Sequence, residues 1–374
     1  MKRAAFFVAT ALCAAPLALA ALPFEAAAQT RPAPYKAPRT AFGQPDLGGY
    51  WSNSTLTPML RPAKYGDRLV HTEDEVKAME QAVIQEVEEG NKPTDPNAPA
   101  EAPPPAGNVR PEFAAAGGDV GGYNRGWLDP GHSVMRVRGE PRTSLLTTPN
   151  GQPPKRKAGA PAPAGLSRTG GGGGMGSFDN PENRSLGERC IIGFGRNAGP
   201  PMFPNGFYNN NYQFVQSPTT VSILVEMNHD ARIIRLNDKH RADNVRPYFG
   251  DSIGWWDGDT LVVETTHIPQ RQAFMGSWEN LKVTERFTRV AKDRLHYAFT
   301  VEDPTLWDQP WGGEYEMSPL DGVIYEYACH EGNYALEGIL GGARQEERDK
   351  AAAAAAPAKP APAKGGKVPA KGAD

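Results

Sequence analysis

Leu281-Lys282-Val283-Thr284-Glu285-Arg286-Phe287-Thr288-Arg289-Val290 alternates with period two: Leu281, Val283, Glu285 and Phe287 fall on one face, Lys282, Thr284, Arg286 and Thr288 on the other. Successive side chains of a strand point to opposite faces, so the pattern predicts a half-buried β-strand rather than a helix. Lys292-Asp293 then turns the chain back into a second extended run, residues 295–301. The same reading extends outward in both directions. Residues 260–266 follow Asp257-Gly258-Asp259, a hairpin signal. Further upstream, residues 212–216 and 221–227 are β-branched and aromatic runs separated by Ser217-Pro218, and residues 232–236 follow Asn228-His229-Asp230. Downstream, residues 323–327 read as the last strand. About six to eight short strands with tight turns predict a mainly β fold, an antiparallel barrel or sandwich with a few short helices and long Pro/Gly-rich loops.

Composition divides the rest of the chain. Its 41 glycines and 36 prolines are unevenly spread and mark linkers. Residues 29–177 form an N-terminal region of extended segments, flexible linkers and one helix over 72–90. There Thr72 is an N-cap, Glu75 its capping-box partner, and Val76, Met79, Val83 and Val87 recur at helical spacing. The glycine run at 170–174 cannot pack a core and belongs to a linker. Residues 178–348 are the β-rich core domain, closed by a helix from residue 334. Residues 349–374 are an Ala/Pro/Lys tail of disordered composition.

The address is written at the N-terminus. Met1-Lys2-Arg3, an apolar run from Ala4 to Leu22 and Ala26-Ala27-Ala28 make a signal peptide over residues 1–28, cleaved on export. A membrane-spanning helix is the competing reading, but Pro16 interrupts the run and Pro23 ends it. Cys13 suggests a lipid anchor, but Leu12 stands where a small residue is expected. The mature protein is therefore expected to be periplasmic or secreted, with no transmembrane anchor. In that compartment the two remaining cysteines, Cys190 and Cys329, are expected to pair as a disulfide, the alternative being two separate buried thiols. With 40 basic and 43 acidic residues and a net charge of −3, neither sign dominates, and no nucleic-acid partner is implied.

Several motifs form one series: Phe178-Asp179-Asn180-Pro181-Glu182-Asn183-Arg184, Glu188-Arg189-Cys190, His229-Asp230-Ala231-Arg232-Ile233-Ile234-Arg235-Leu236, Gly258-Asp259-Thr260-Leu261-Val262-Val263-Glu264-Thr265-Thr266 and Tyr327-Ala328-Cys329-His330-Glu331-Gly332-Asn333-Tyr334. Together they resemble an uncharacterised family of exported bacterial proteins. The resemblance implies secretion and transfers no catalytic residue. Gly49-Tyr50-Trp51 is similar to the G-x-W opening of lipocalins, in which the Trp closes the barrel floor. On that resemblance the barrel is lipocalin-like; an ordinary aromatic core anchor is the other reading.

Histidine titrates and ligates near neutral pH, and two histidines have chemical company. His229 adjoins Asp230 and lies three residues from Arg232, while His330 sits between Cys329 and Glu331. Brought together, these five could serve proton abstraction or hydrolysis, with a histidine as base and Arg232 stabilising developing charge. Their bland roles are a hydrogen-bonded loop and a salt bridge. His229, Asp230, His330 and Glu331 are acceptable zinc ligands, yet no H-E-x-x-H or similar spacing occurs, so no metal site is assigned. Tyr208-Asn209-Asn210-Asn211-Tyr212 mixes amides with aromatic faces, as a sugar or phenolic ligand requires, and Trp307 and Trp311, read as lying on a loop, could rim a pocket. No nucleophile elbow, P-loop or dinucleotide fingerprint is present, so no cofactor is implied. Two functions follow. One is an exported β-barrel-like protein binding a small apolar, aromatic or sugar-like ligand. The other is a periplasmic hydrolase or lyase acting on a small-molecule substrate through the His/Asp/Arg/Glu cluster. The oligomeric state stays open.

Overall fold

The computed structural model describes residues 35–90, 129, 131–160, 178, 180–193, 195–205 and 208–355. The expected signal peptide, residues 91–118, the glycine run and the end of the tail lie outside them. Described strands are β1 (Gly49–Ser52), β2 (Arg136–Val137), β3 (Glu140–Pro141), β4 (Asn211–Gln216), β5 (Thr220–Val225), β6 (Ala231–Leu236), β7 (Asp251–Asp257), β8 (Thr260–Thr266), β9 (Lys282–Ala291), β10 (Arg294–Glu302) and β11 (Trp311–Pro319). Two α-helices accompany them, α1 (Glu73–Gly90) and α2 (Tyr334–Ala355). At the start of α1 the capping box is reciprocal: the Glu75 N–H donates to Thr72 Oγ1 at 3.2 Å and the Thr72 N–H to Glu75 Oε2 at 2.8 Å.

The alternating stretch is β9, hairpinned onto β10 with Val283 opposite Val301, Glu285 opposite Phe299 and Phe287 opposite Tyr297. Its predicted inner face is buried, and so are Leu295, Tyr297, Phe299 and Val301 of β10. Each such apolar side chain contributes roughly 1.5–3 kcal/mol of burial free energy, which locks the register, because a one-residue slip would turn the whole set to water. Extending this pairing on both sides closes a barrel in the order β1-β11-β10-β9-β8-β7-β6-β5-β4. The fold is a closed barrel and not a sandwich. It is also mixed rather than purely antiparallel. Nine strands in a ring cannot alternate direction throughout, so one neighbouring pair must be parallel. That pair is β6/β7, with Ile234 opposite Ser252 and Leu236 opposite Gly254. Residues 237–250 are the return connection that parallel pairing demands.

Two strands of the 178–348 half were hidden in the sequence. β11 begins at Trp311, which reads as part of a loop, and Gly312-Gly313 interrupts its β-forming residues. Here the glycines permit close backbone approach: a Cβ on Gly312 would lie 2.0 Å from the Phe299 carbonyl oxygen, and one on Gly313 2.4 Å from that of Leu145. β7 carries Gly254 in a similarly tight place, with Ile234 Cγ2 2.8 Å and the Val262 carbonyl oxygen 3.1 Å from where its Cβ would stand. Conversely, residues 323–327 are not a strand. Among the described residues no strand pairs with them, and Val323 and Tyr325 are exposed.

The interior is packed with side chains. Trp51, Tyr212, Phe214, Ile223, Phe287, Tyr297 and Tyr315 are buried there, with ring centroids 4.8 Å apart for Tyr297–Tyr315 and 5.0 Å for Phe287–Tyr297. β1 belongs to this wall, so the barrel draws on chain from both sides of residue 178. Ala198, Met202 and Phe203, from the segment between residues 195 and 205, join the same core as a plug. Among the described residues, no helix is long and apolar enough to cross a membrane.

Candidate functional site

Beyond β11, residues 320–333 form a strap that returns to residues 188–190 and to His229. Cys190 and Cys329 are bridged, with Cα atoms 5.7 Å apart. Two further bonds pin the strap. The Tyr327 N–H donates to His229 Nε2 at 3.1 Å, and Asn333 Nδ2 donates to the Glu188 carbonyl at 3.1 Å. The local backbone aims His229 at the strap: Asn228 and His229 sit in the left-handed region (φ 58° and 52°), which Asn tolerates well and His less so.

Between the strap, residues 187–190 and the start of α2 lies a cleft of about 400 Å³. Tyr208 and Tyr327 stack along one wall, centroids 6.2 Å apart and planes 24° apart. Ala328, Leu336, Ile339 and the disulfide supply the remaining apolar surface, and Glu188, Glu331 and Asn333 the polar groups. Burial alone would raise the Glu188 carboxyl. Hydrogen bonds from Arg184 Nη2 (2.6 Å) and the Ser185 N–H (2.9 Å) outweigh it and hold the group below its ordinary value. The cleft therefore offers an aromatic and aliphatic wall, an amide, and a carboxylate fixed in its ionised form. Such a mixture can hold a small ring and orient its hydroxyls.

The residues picked out in the sequence separate. Tyr208 and Glu331 line the cleft, and His229 contacts the strap backbone beside it while its side chain stays exposed. His330 is exposed. Asp230 turns away, its buried carboxylate accepting from the Gly193 N–H at 2.8 Å. Arg232 points into the barrel and forms a bidentate pair with Glu285 at 3.0 and 2.5 Å, both side chains buried. Burial would lower the Arg232 pKa, but Glu285 outweighs it and keeps the guanidinium charged. Tyr297 OH donates to the same carboxylate at 2.9 Å and accepts from the Met202 N–H at 2.8 Å, joining the ion pair to the plug. Tyr212 and Asn210 are buried as well. Tyr212 OH donates to the Asn197 carbonyl (3.2 Å), and Asn210 Oδ1 accepts from the Asn205 N–H (2.6 Å). Trp307 and Trp311 are core residues, 3% exposed each, and Trp311 opens β11 rather than sitting on a loop.

Sequence reasoning missed Tyr327, Glu188 and Asn333. The signal available was their nearness to Cys190 and Cys329, since a disulfide brings the flanks of both cysteines to one place. No family model, no curated protein and no solved structure matches the chain, so the resemblance to exported bacterial proteins rests on its motifs alone.

Proposed function

We propose that this is an exported binding protein, periplasmic or secreted, that holds a small apolar, aromatic or sugar-like ligand in the disulfide-anchored cleft and not inside the barrel. One observation carries the reading: a cleft of about 400 Å³, walled by Tyr208 and Tyr327, beside a backbone cross-linked by Cys190–Cys329. Its volume lies within the roughly 300–1,000 Å³ of small-molecule sites, and a cross-linked rim lowers the entropy lost on binding. The binding reading draws more support than the hydrolase or lyase reading, because Asp230 and Arg232 are committed to Gly193 and Glu285. The signal-peptide pattern and the disulfide together support export. Calorimetric titration of the untagged protein with phenol, benzyl alcohol and methyl β-D-glucoside tests the reading. Tyr327→Ala is expected to weaken the best of these probes by about two- to tenfold, the equivalent of roughly 0.5–1.5 kcal/mol of aromatic contact. An affinity unchanged by Tyr327→Ala, or no binding of any probe, would contradict it.

A further inference from the structure

The return connection between β6 and β7 gathers a second polar cluster, remote in sequence from the strap. His240 comes from the connection itself, Asp251 opens β7, and His267 follows β8. One potential ligand atom from each of the three lies within 4.8 Å of the other two. His240 Nδ1 stands 3.0 Å from Asp251 Oδ2, and the two imidazole centroids are 5.6 Å apart. All three are largely withdrawn from solvent, with side-chain exposures of 21%, 4% and 11%.

We propose that His240, Asp251 and His267 form a binding site for a divalent transition metal of the zinc class. Two imidazoles and one carboxylate are a donor set suited to such ions. Calcium and magnesium, which take oxygen ligands, do not suit it. The surroundings supply what ligating histidines need, a partner for the ring nitrogen that does not bind metal. His240 Nε2 faces Glu264 Oε1 at 3.2 Å, leaving Nδ1 to share an ion with Asp251. His267 has the Thr266 hydroxyl at 2.7 Å on Nδ1 and Asp243 at 3.1 Å on Nε2, so either nitrogen can ligate while the other stays hydrogen-bonded. Asp251 is held by Arg235 Nη2 on both oxygens (3.0 Å each), by the Arg241 N–H on Oδ2 (2.9 Å) and by Arg241 Nε on Oδ1 (3.1 Å). These bonds hold its carboxylate in place without needing the histidines. Asp251 also forms part of the wall of a cleft of about 240 Å³ shared with Arg241 and Tyr248. The site owes its existence to the parallel joint, since only the return connection can carry His240 back beside the ends of β7 and β8.

The test uses the untagged full chain, stripped with chelator and titrated with zinc and with cobalt(II), magnesium serving as the control. The expected result is one zinc and one cobalt per chain, a ligand-field band with cobalt, and no response to magnesium. His240→Gln and His267→Gln should each abolish stoichiometric binding with an unchanged melting temperature in chelator. Glu264→Gln should weaken binding roughly 10- to 100-fold, as loss of an outer partner does. Failure of the wild-type chain to bind zinc or cobalt, or binding that survives both histidine substitutions, overturns the proposal. If either variant fails to fold, anomalous scattering from zinc-soaked wild-type crystals decides: a peak among the three side chains upholds the site, and its absence overturns it.

Discussion

Arg232 and Glu285 meet inside the barrel, where neither charge has water to fall back on. Removing one partner strands the other, which typically costs 3–5 kcal/mol, whereas replacing both by apolar groups is often neutral. Arg232→Met is therefore expected to lower unfolding free energy in denaturant by roughly 3–5 kcal/mol. The double variant Arg232→Met/Glu285→Leu should recover most of that loss, and a single variant within 1 kcal/mol of wild type would contradict the pairing. Glu314 shows a milder version on the outside of the wall. It accepts from His296 (2.9 Å) and Arg142 (3.0 Å), and the His296 bond is the largest cause of a pKa below the ordinary 4.5. A depressed carboxylate pKa adds stability at pH above the unfolded value, and that stability fades as pH falls through the folded value. Glu314→Gln should then cost roughly 1–2 kcal/mol at pH 7, and urea melts should show the difference shrinking below about pH 4.5. A difference that grows on acidification would refute this assignment.

At the scale of elements, what the sequence made legible depended on whether a segment's partner shares its pattern. β9 and β10 alternate cleanly because each has one face on the core, and their hairpin turn is local. β7 and β11 were not legible. Their glycines answer to backbone atoms of Phe299, Leu145 and Val262, neighbours that no local pattern reveals. The strap erred in the opposite direction, since Tyr325 and Tyr327 look like strand residues but stack and solvate instead. The candidate site was half legible for the same reason. Cys190, Cys329, Tyr208 and Glu331 stood out by type, whereas Glu188 and Asn333 matter only through the bridge, and the His240 cluster only through the return connection. The bridge spans 139 residues of sequence, and closing a loop of that size restricts the unfolded chain by roughly 4–5 kcal/mol in the chain-entropy model. Cys190→Ser/Cys329→Ser is expected to lower the denaturation midpoint accordingly and to weaken probe binding by freeing the strap. An unchanged midpoint would show that the bridge does not constrain the chain in this way.

On the proposed reading, the molecule as a whole puts stability and recognition in different places. Aromatic rings, the Arg232–Glu285 pair and the plug fill the space a ligand-carrying barrel would leave open. Among the described residues, the two proposed sites lie where the chain departs from the barrel, at the strap after β11 and at the return connection after β6. Five tyrosines report on this division. Tyr208 and Tyr327 flank the cleft, while Tyr212, Tyr297 and Tyr315 are fully buried inside the barrel. The most direct measurement is a fluorine NMR titration of 3-fluorotyrosine-labelled protein with phenol and methyl β-D-glucoside, its resonances assigned by single Tyr→Phe variants. Saturable shifts at Tyr208 and Tyr327, with Tyr212, Tyr297 and Tyr315 unmoved, are the result expected of a ligand seated in the cleft. Shifts confined to the three interior tyrosines would place the ligand within the barrel and contradict the account.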